Sequence, residues 1–256
     1  MHDQQHHGEQ DDERDDDARS GERGGWRAVA AARPVWTFTY EFAPGLTANC
    51  VAVQFAPRRW AVLSPGSNMS EESLSAIARA GEVVALVAPN KNHHVGLKSW
   101  RARFPDARVY APAAALKALR GRYPDCSIDA IATLREELPA EVALRCSPHS
   151  KAGCTTLLVR RAAGWLWHTD DLVLNMDEYE GPLPVRWLMG LMRMVGGVRV
   201  NRMNRIFFVT DRAALKRELL ADLETYPITA LIPAHGVVGE DPELAARLRG
   251  SIEEVL

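Results

Sequence analysis

The chain has no CxxC pair, no apolar run long enough to cross a membrane and no marked excess of charge of either sign, and each absence removes a class of function. Its four cysteines, Cys50, Cys126, Cys146 and Cys154, stand far apart. That spacing argues against a thiolate zinc site and against a thioredoxin-type redox pair. Three of them sit in or beside apolar strand-like runs and read as free thiols of a reducing, cytoplasmic compartment, a disulfide pair being the other reading. The apolar stretch Leu183 to Val195 is too short for a membrane span and is broken by Arg186 and Arg193. Lys and Arg total 31 against 33 Asp and Glu, for a net charge of -2. No global field therefore favours nucleic acid or an anionic membrane surface, and a small-molecule substrate is the expected partner.

Residues 1–25 differ in kind from the rest. Gln4 to Gln10 runs into Asp11 to Asp17 with almost no apolar side chain, so this segment cannot bury enough surface to offset chain entropy and is expected to be a disordered acidic tail. It has neither the basic start nor the apolar core of a signal peptide. His2, His6 and His7 lie near aspartates and could scavenge metal, but a solvated tail is the simpler reading. Residues 26–256 are expected to form one domain, with an apolar fraction of 46% and a charged fraction of 25%, both ordinary for a soluble protein with a sizeable core.

Within that domain, strand and helix signals alternate. Trp36 to Phe42, Cys50 to Phe55 and Trp60 to Ser64 read as short strands separated by turn residues. Ser70 caps an amphipathic helix over Glu71 to Ala80, which precedes the β-branched run from Val83. Further strands are expected at Arg108 to Tyr110, Glu141 to Cys146, Thr155 to Arg160, Trp165 to Thr169 and Thr229 to Ile232. Helices are expected through Trp100, from Pro112, over Ala213 to Glu224 and from Pro242.

Histidine and aspartate carry the chemistry. The run from Val83 stops at Pro89-Asn90 and delivers His93 and His94 onto a loop. His149 follows Pro148 in a turn, Asp171 ends the run Trp165 to Asp170, and His235 sits in Pro233-Ala234-His235-Gly236. Imidazole with carboxylate suits zinc, iron or manganese better than calcium or magnesium. Each residue also has a plainer reading: the histidine pair as a backbone-bonded turn, His149 as turn chemistry, Asp171 as a loop cap with Asp170 the working carboxylate. His168 alternates with Trp167 along a strand and reads as a packed residue.

Taken in order, these four segments resemble the metallo-β-lactamase superfamily, whose pattern is His-x-His-x-Asp-His, then Gly-His-Thr, then Gly-Asp, then a Gly-His-like turn. The resemblance runs from about Trp36 to the end of the chain, and it departs from the pattern in the first motif. Pro89 and Lys91 stand where the superfamily has its leading histidines, and His93 stands at its aspartate. The resemblance implies a four-layer αββα sandwich and a metal-dependent hydrolase of ester, thioester, amide or phosphoester bonds. Of the superfamily's two metal positions, it implies that the first keeps only His149 and the bridging Asp171. The second keeps His94, His235 and Asp171, with His93 in place of the aspartate. One divalent transition metal, zinc before iron or manganese, is the expected cofactor, with Lys91, His93 and Asp171 as the catalytic set. Lys91 could replace the charge of the missing ion. The rival expectation is a non-catalytic binding or scaffold protein with a decayed metal site. The segment 183–195 reads as a lid over an apolar substrate, a homo-oligomer contact or a packing helix.

Overall fold

The computed structural model describes residues 22–23, 25–29, 31–43, 46–179 and 181–256. The acidic run from Asp11 to Asp17 lies outside them. The first strands form a meander: β1 (Glu22–Arg23), β2 (Trp26–Val29), β3 (Val35–Ala43), β4 (Leu46–Ala56) and β5 (Arg59–Leu63) pair antiparallel in sequence order. Glu22–Arg23 thus joins the sheet edge, ahead of the expected domain start at residue 26.

The chain then winds α/β fashion through α1 (Glu71–Ala80), β6 (Glu82–Val87), α2 (Leu97–Arg103), β7 (Arg108–Ala111), α3 (Ala113–Arg122), β8 (Ile128–Ala130) and α4 (Ile131–Arg135), with β5 to β8 parallel. α1 begins where its sequence says it should: the Ser70 hydroxyl accepts from Ser73 N, and Glu71 and Glu72 sit against the positive end of the helix.

A second sheet is built from β9 (Val142–Cys146), β10 (Thr155–Arg161) and β11 (Gly164–His168). Asp170–Leu172 then forms a 3-10 turn, and the antiparallel ribbon β12 (Val173–Met176) and β13 (Gly197–Val200) encloses α5 (Leu183–Leu191). After α6 (Arg202–Phe207) and α7 (Arg212–Thr225), β14 (Ile228–Ile232) returns parallel to β11, followed by β15 (Gly239–Glu240) and α8 (Leu244–Val255). The strand order of this sheet is β15-β14-β11-β10-β9.

Three apolar cores define the layers. Val51, Val53 and Val87 of the first sheet pack against Leu157, Val159 and Leu166 of the second, which makes the central face-to-face layer. The outer face of the first sheet buries Trp36, Trp60 and Leu86 against Ile77 of α1, Trp100 of α2 and Leu119 of α3. The outer face of the second buries Leu158, Trp167 and Leu231 against Leu215 of α7 and Leu248 of α8. The order of layers is αββα, as expected. Among the described residues no helix is long and apolar enough to cross a membrane.

Candidate metal centre

Three loops bring their side chains together at one site, and each follows a strand. The loop after β6 brings Asn90 and His93, the 3-10 turn after β11 brings Asp171, and the loop after β14 brings His235. Sites at strand ends are the common arrangement because the sheet fixes the frame while the loop presents the side chain.

The β6 loop is organised by Asn90. Its carbonyl oxygen accepts from Asn92 N at 2.6 Å and His93 N at 3.0 Å, an Asx-type turn that aims His93 inward. Gly96 lets this loop press on the one after β5, since a Cβ there would lie 2.2 Å from the Gly66 carbonyl oxygen. Trp100 Nε1 donates to the same carbonyl at 3.1 Å. Ser64, at the end of β5 with φ 52°, is held in this corner with its hydroxyl 2.9 Å from His93 Nδ1.

The β14 loop is held from the opposite side. Asn49 Nδ2 donates to the carbonyls of Pro233 and Gly236, both at 2.9 Å, and Gly236 takes φ 99° against the backbone of Asn175. His235 Nδ1 lies 2.7 Å from the Thr47 carbonyl, so that nitrogen must carry the proton.

The two rings converge on one atom. His93 Nε2 is 3.0 Å and His235 Nε2 is 3.3 Å from Asp171 Oδ1. The other carboxylate oxygen, Oδ2, accepts from Asn90 Nδ2 at 3.0 Å, and the same amide reaches Asp170 Oδ1 at 2.8 Å. Asp170 is fully buried with φ 49°, and burial together with the neighbouring Asp171 charge pushes its carboxyl up to about 7. Burial also works against ionised Asp171, but the charge of His93 and the hydrogen bonds from His235 and His93 outweigh it and hold this carboxyl well below the usual range. Conversely, burial opposes a charged His93, and Asp171 more than compensates, raising that imidazole to about 9.

The donor set fits a divalent transition metal. With Nδ1 of His235 committed to a carbonyl, its Nε2 faces a carboxylate oxygen at 3.3 Å, a contact that is attractive only with a proton or a cation between the two. The three ligand atoms all lie within 4.8 Å of one another. Ligands about 2.0–2.1 Å from a tetrahedral zinc stand roughly 3.3 Å apart, close to the two imidazole–carboxylate distances of 3.0 and 3.3 Å. Two imidazoles and one carboxylate also match iron. Both rings have an oxygen partner at Nδ1, the usual support for a metal-binding histidine.

Of the sequence candidates, His93, Asp171 and His235 come together, and the carboxylate that faces both rings is that of Asp171. The other candidates lie elsewhere. His94 turns its Nδ1 to the Tyr123 hydroxyl at 2.7 Å, and its backbone carbonyl receives Leu97 N at the start of α2. His149 occupies a turn whose carbonyl accepts from Thr210 N. Lys91 is half-buried with its ammonium 4.7 Å above the Phe208 ring. Among the described residues neither His94 nor His149 joins the group. His168 is fully buried, with Nδ1 donating to the Ile232 carbonyl at 2.8 Å.

Sequence reasoning did not single out Asn90, Ser64 or Asn49. Asn90 had a signal, an asparagine closing a strand two and three residues before donors it could cap. The other two act across 29 residues or more of chain and leave none.

No protein-family model and no curated protein sequence matches the chain. Solved structures do. The DIM-1 metallo-beta-lactamase superposes with a TM-score of 0.58 at 14% identity, covering 92% of this chain and 100% of that one. A metallo beta lactamase from Erythrobacter litoralis gives 0.56 at 12% identity, over 91% and 94%. The flavodiiron core Flv1 from Synechocystis, solved after metal soaking, gives 0.55 at 15% identity, over 90% of this chain and 61% of that one. The chain has the metallo-β-lactamase fold.

Proposed function

We propose that this chain is a mononuclear metal-dependent hydrolase in which His93, Asp171 and His235 hold one divalent transition metal, zinc ahead of iron or manganese. The observation that carries the reading is the convergence of two imidazole Nε2 atoms on Asp171 Oδ1, each ring fixed from behind by an oxygen at its Nδ1. Asp171 and His235 also line the large cavity on this face of the fold, so the centre is open to a small molecule.

A bound ion of this kind supplies Lewis-acid polarisation of a carbonyl or phosphoryl oxygen and brings a water's pKa to about 7. The protein's own residues do the positioning. Asn90 anchors Asp171 through Oδ2 and leaves Oδ1 free, while Ser64 and Thr47 hold the two rings. Overall, the water oxygen bonds to the acyl or phosphoryl centre, the bond to the leaving group breaks, and a proton from water ends on the leaving group. Lys91 stands outside this constellation, so the proposal gives it no catalytic role.

Metal analysis of tag-free protein tests the reading. About one equivalent is expected in the parent and none in His235→Ala or Asp171→Asn. His2, His6 and His7 are common to all three proteins, so the difference belongs to the centre. A parent that holds no more metal than the variants would favour the non-catalytic scaffold instead.

A further inference from the structure

We infer that the molecule served by this centre is uncharged near its reacting bond and carries a bulky, flexible apolar group, an acyl or aryl chain, which lies in the cavity beside Asp171 and His235. The inference rests on the hydrolase reading for the reacting end alone; the apolar subsite stands on the cavity itself.

The cavity has a volume of about 950 Å³, at the upper end of the roughly 300–1,000 Å³ of small-molecule sites. Because Asp171 and His235 belong both to the cluster and to the lining, any molecule that reaches the cluster from here lies along the cavity wall. That wall contains Met176, Met189, Met194 and Met203, four of the chain's seven methionines. Unbranched thioether side chains conform to irregular, flexible apolar groups, and their concentration at one surface is a feature of sites that accept such groups.

Charge and hydrogen bonding narrow the class. Among the described residues the lining carries three carboxylates, Asp171, Asp177 and Glu178, against one arginine, Arg27, which disfavours phosphate-rich and other anionic substrates. Part of the polar lining is already engaged: Asn175 Nδ2 donates to the Val237 carbonyl, Asn201 Oδ1 accepts from Asn204 N, and Thr39 donates to Asn49. Among the described residues, the buried atoms of lining residues with no hydrogen-bond partner in the protein are the Thr37 and Tyr179 hydroxyls and Asn204 Oδ1. Two hydroxyls and one amide oxygen are enough to orient the polar end of an otherwise apolar molecule.

Entry is provided for by α5. Met189 is its one buried residue, while Leu183 and Trp187 are 70% and 71% exposed. A helix held by so little apolar contact opens at low cost. The occupant is therefore the substrate of the adjacent centre, admitted past α5.

The test is displacement of the neutral fluorophore N-phenyl-1-naphthylamine from the full chain by methyl hexanoate, octanoate and decanoate. Affinity is expected to rise roughly tenfold for each two methylenes added, with decanoate anion weaker than its methyl ester. Met189→Trp should cut methyl decanoate affinity at least tenfold by filling the cavity. Met203→Phe, on another part of the wall, gives the same readout if Met189→Trp does not fold. Affinity independent of chain length, or unchanged in the folded variants, would overturn the inference. So would probe binding that disappears as light scattering shows two chains associating, because a second copy would then be the occupant. Dialysis of the parent against EDTA separates the two readings: it should remove the metal and keep the chain-length series. A parent that is metal-free as purified, with that series intact, would sink the hydrolase and leave the apolar subsite standing.

Discussion

Asn90 Nδ2 donates to Asp171 Oδ2 across 3.0 Å, and that contact decides which carboxylate oxygen is left for the imidazoles. The same amide donates to Asp170, so a single neutral side chain separates two buried acids that would otherwise face each other. Burial and the Asp171 charge drive Asp170 upward, whereas Asp171 is held down, against burial, by the charge of His93 and the contacts from both imidazoles. Asn90 thereby links the fold's strand-end turn to the chemistry of the centre.

Asn90→Ala removes the partner of two buried carboxylates and the cap of the loop that carries His93. An unsatisfied buried polar group costs about 1–3 kcal/mol, so a loss of about 2–4 kcal/mol of unfolding free energy is expected in urea melts. Metal affinity should fall about 10–100-fold, the usual effect of deleting support behind a ligand. A variant with parent stability and parent affinity would show that Asn90 is incidental.

The ligand assignment separates five residues that the sequence alone leaves together. His93→Ala, Asp171→Asn and His235→Ala should each abolish stoichiometric metal. His94→Ala and His149→Ala should retain it, because neither ring joins the cluster. His94→Ala should still lower stability by about 1–2 kcal/mol through the lost contact with Tyr123. Loss of metal in His94→Ala, with circular dichroism unchanged, would mean that the loop rearranges around the ion.

The contrast between His93 and His94 shows how far the sequence could be read. Strand runs such as Val83 to Ala88 and the order of the histidine and aspartate segments are local patterns, and through the resemblance they carry they foretold the sandwich. Which of two adjacent histidines turns inward is set by Asn90, Ser64 and Tyr123, partners whose approach depends on tertiary packing. The choice between Asp170 and Asp171 likewise depends on a 3-10 turn that follows β11. Trp26–Val29 and the ribbon Val173–Met176 with Gly197–Val200 were not foreseen.

Gly96→Ala tests the seam between the two loops that position His93. The added Cβ would lie 2.2 Å from the Gly66 carbonyl oxygen and 2.4 Å from that of Pro65, so backbone must move. A destabilisation of about 2–4 kcal/mol is expected, within the range for overpacked backbone contacts. Ser64 moves with this seam, so metal affinity should fall as well. Thermal melts and metal titration of the variant check both, and an unchanged melting temperature would show that the seam yields freely.

His168 supplies a pH test at a residue outside the His93, Asp171 and His235 cluster. It is fully buried, its Nδ1 donates to the Ile232 carbonyl, and the titratable groups acting on it are His93 and Asp171. Burial disfavours its charged form more strongly than the carbonyl favours it, so its pKa falls from 6.5 to about 4. In the unfolded chain the ring takes up a proton as pH drops below 6.5, whereas in the fold it stays neutral until about 4. Protonation therefore favours unfolding in this window: the contribution of neutral His168 is complete above 6.5, declines as pH falls and is exhausted below about 4. The linked loss is about 2 kcal/mol between pH 7 and pH 5 and about 3 kcal/mol over the whole window. His168→Gln should be less stable than the parent at pH 7, since it perturbs the contact with Ile232, but the gap should narrow by about 2 kcal/mol at pH 5 in urea melts. A gap that stays constant from pH 7 to pH 5 would mean that the ring titrates equally in folded and unfolded chains, and that burial at the end of β11 does not keep it neutral.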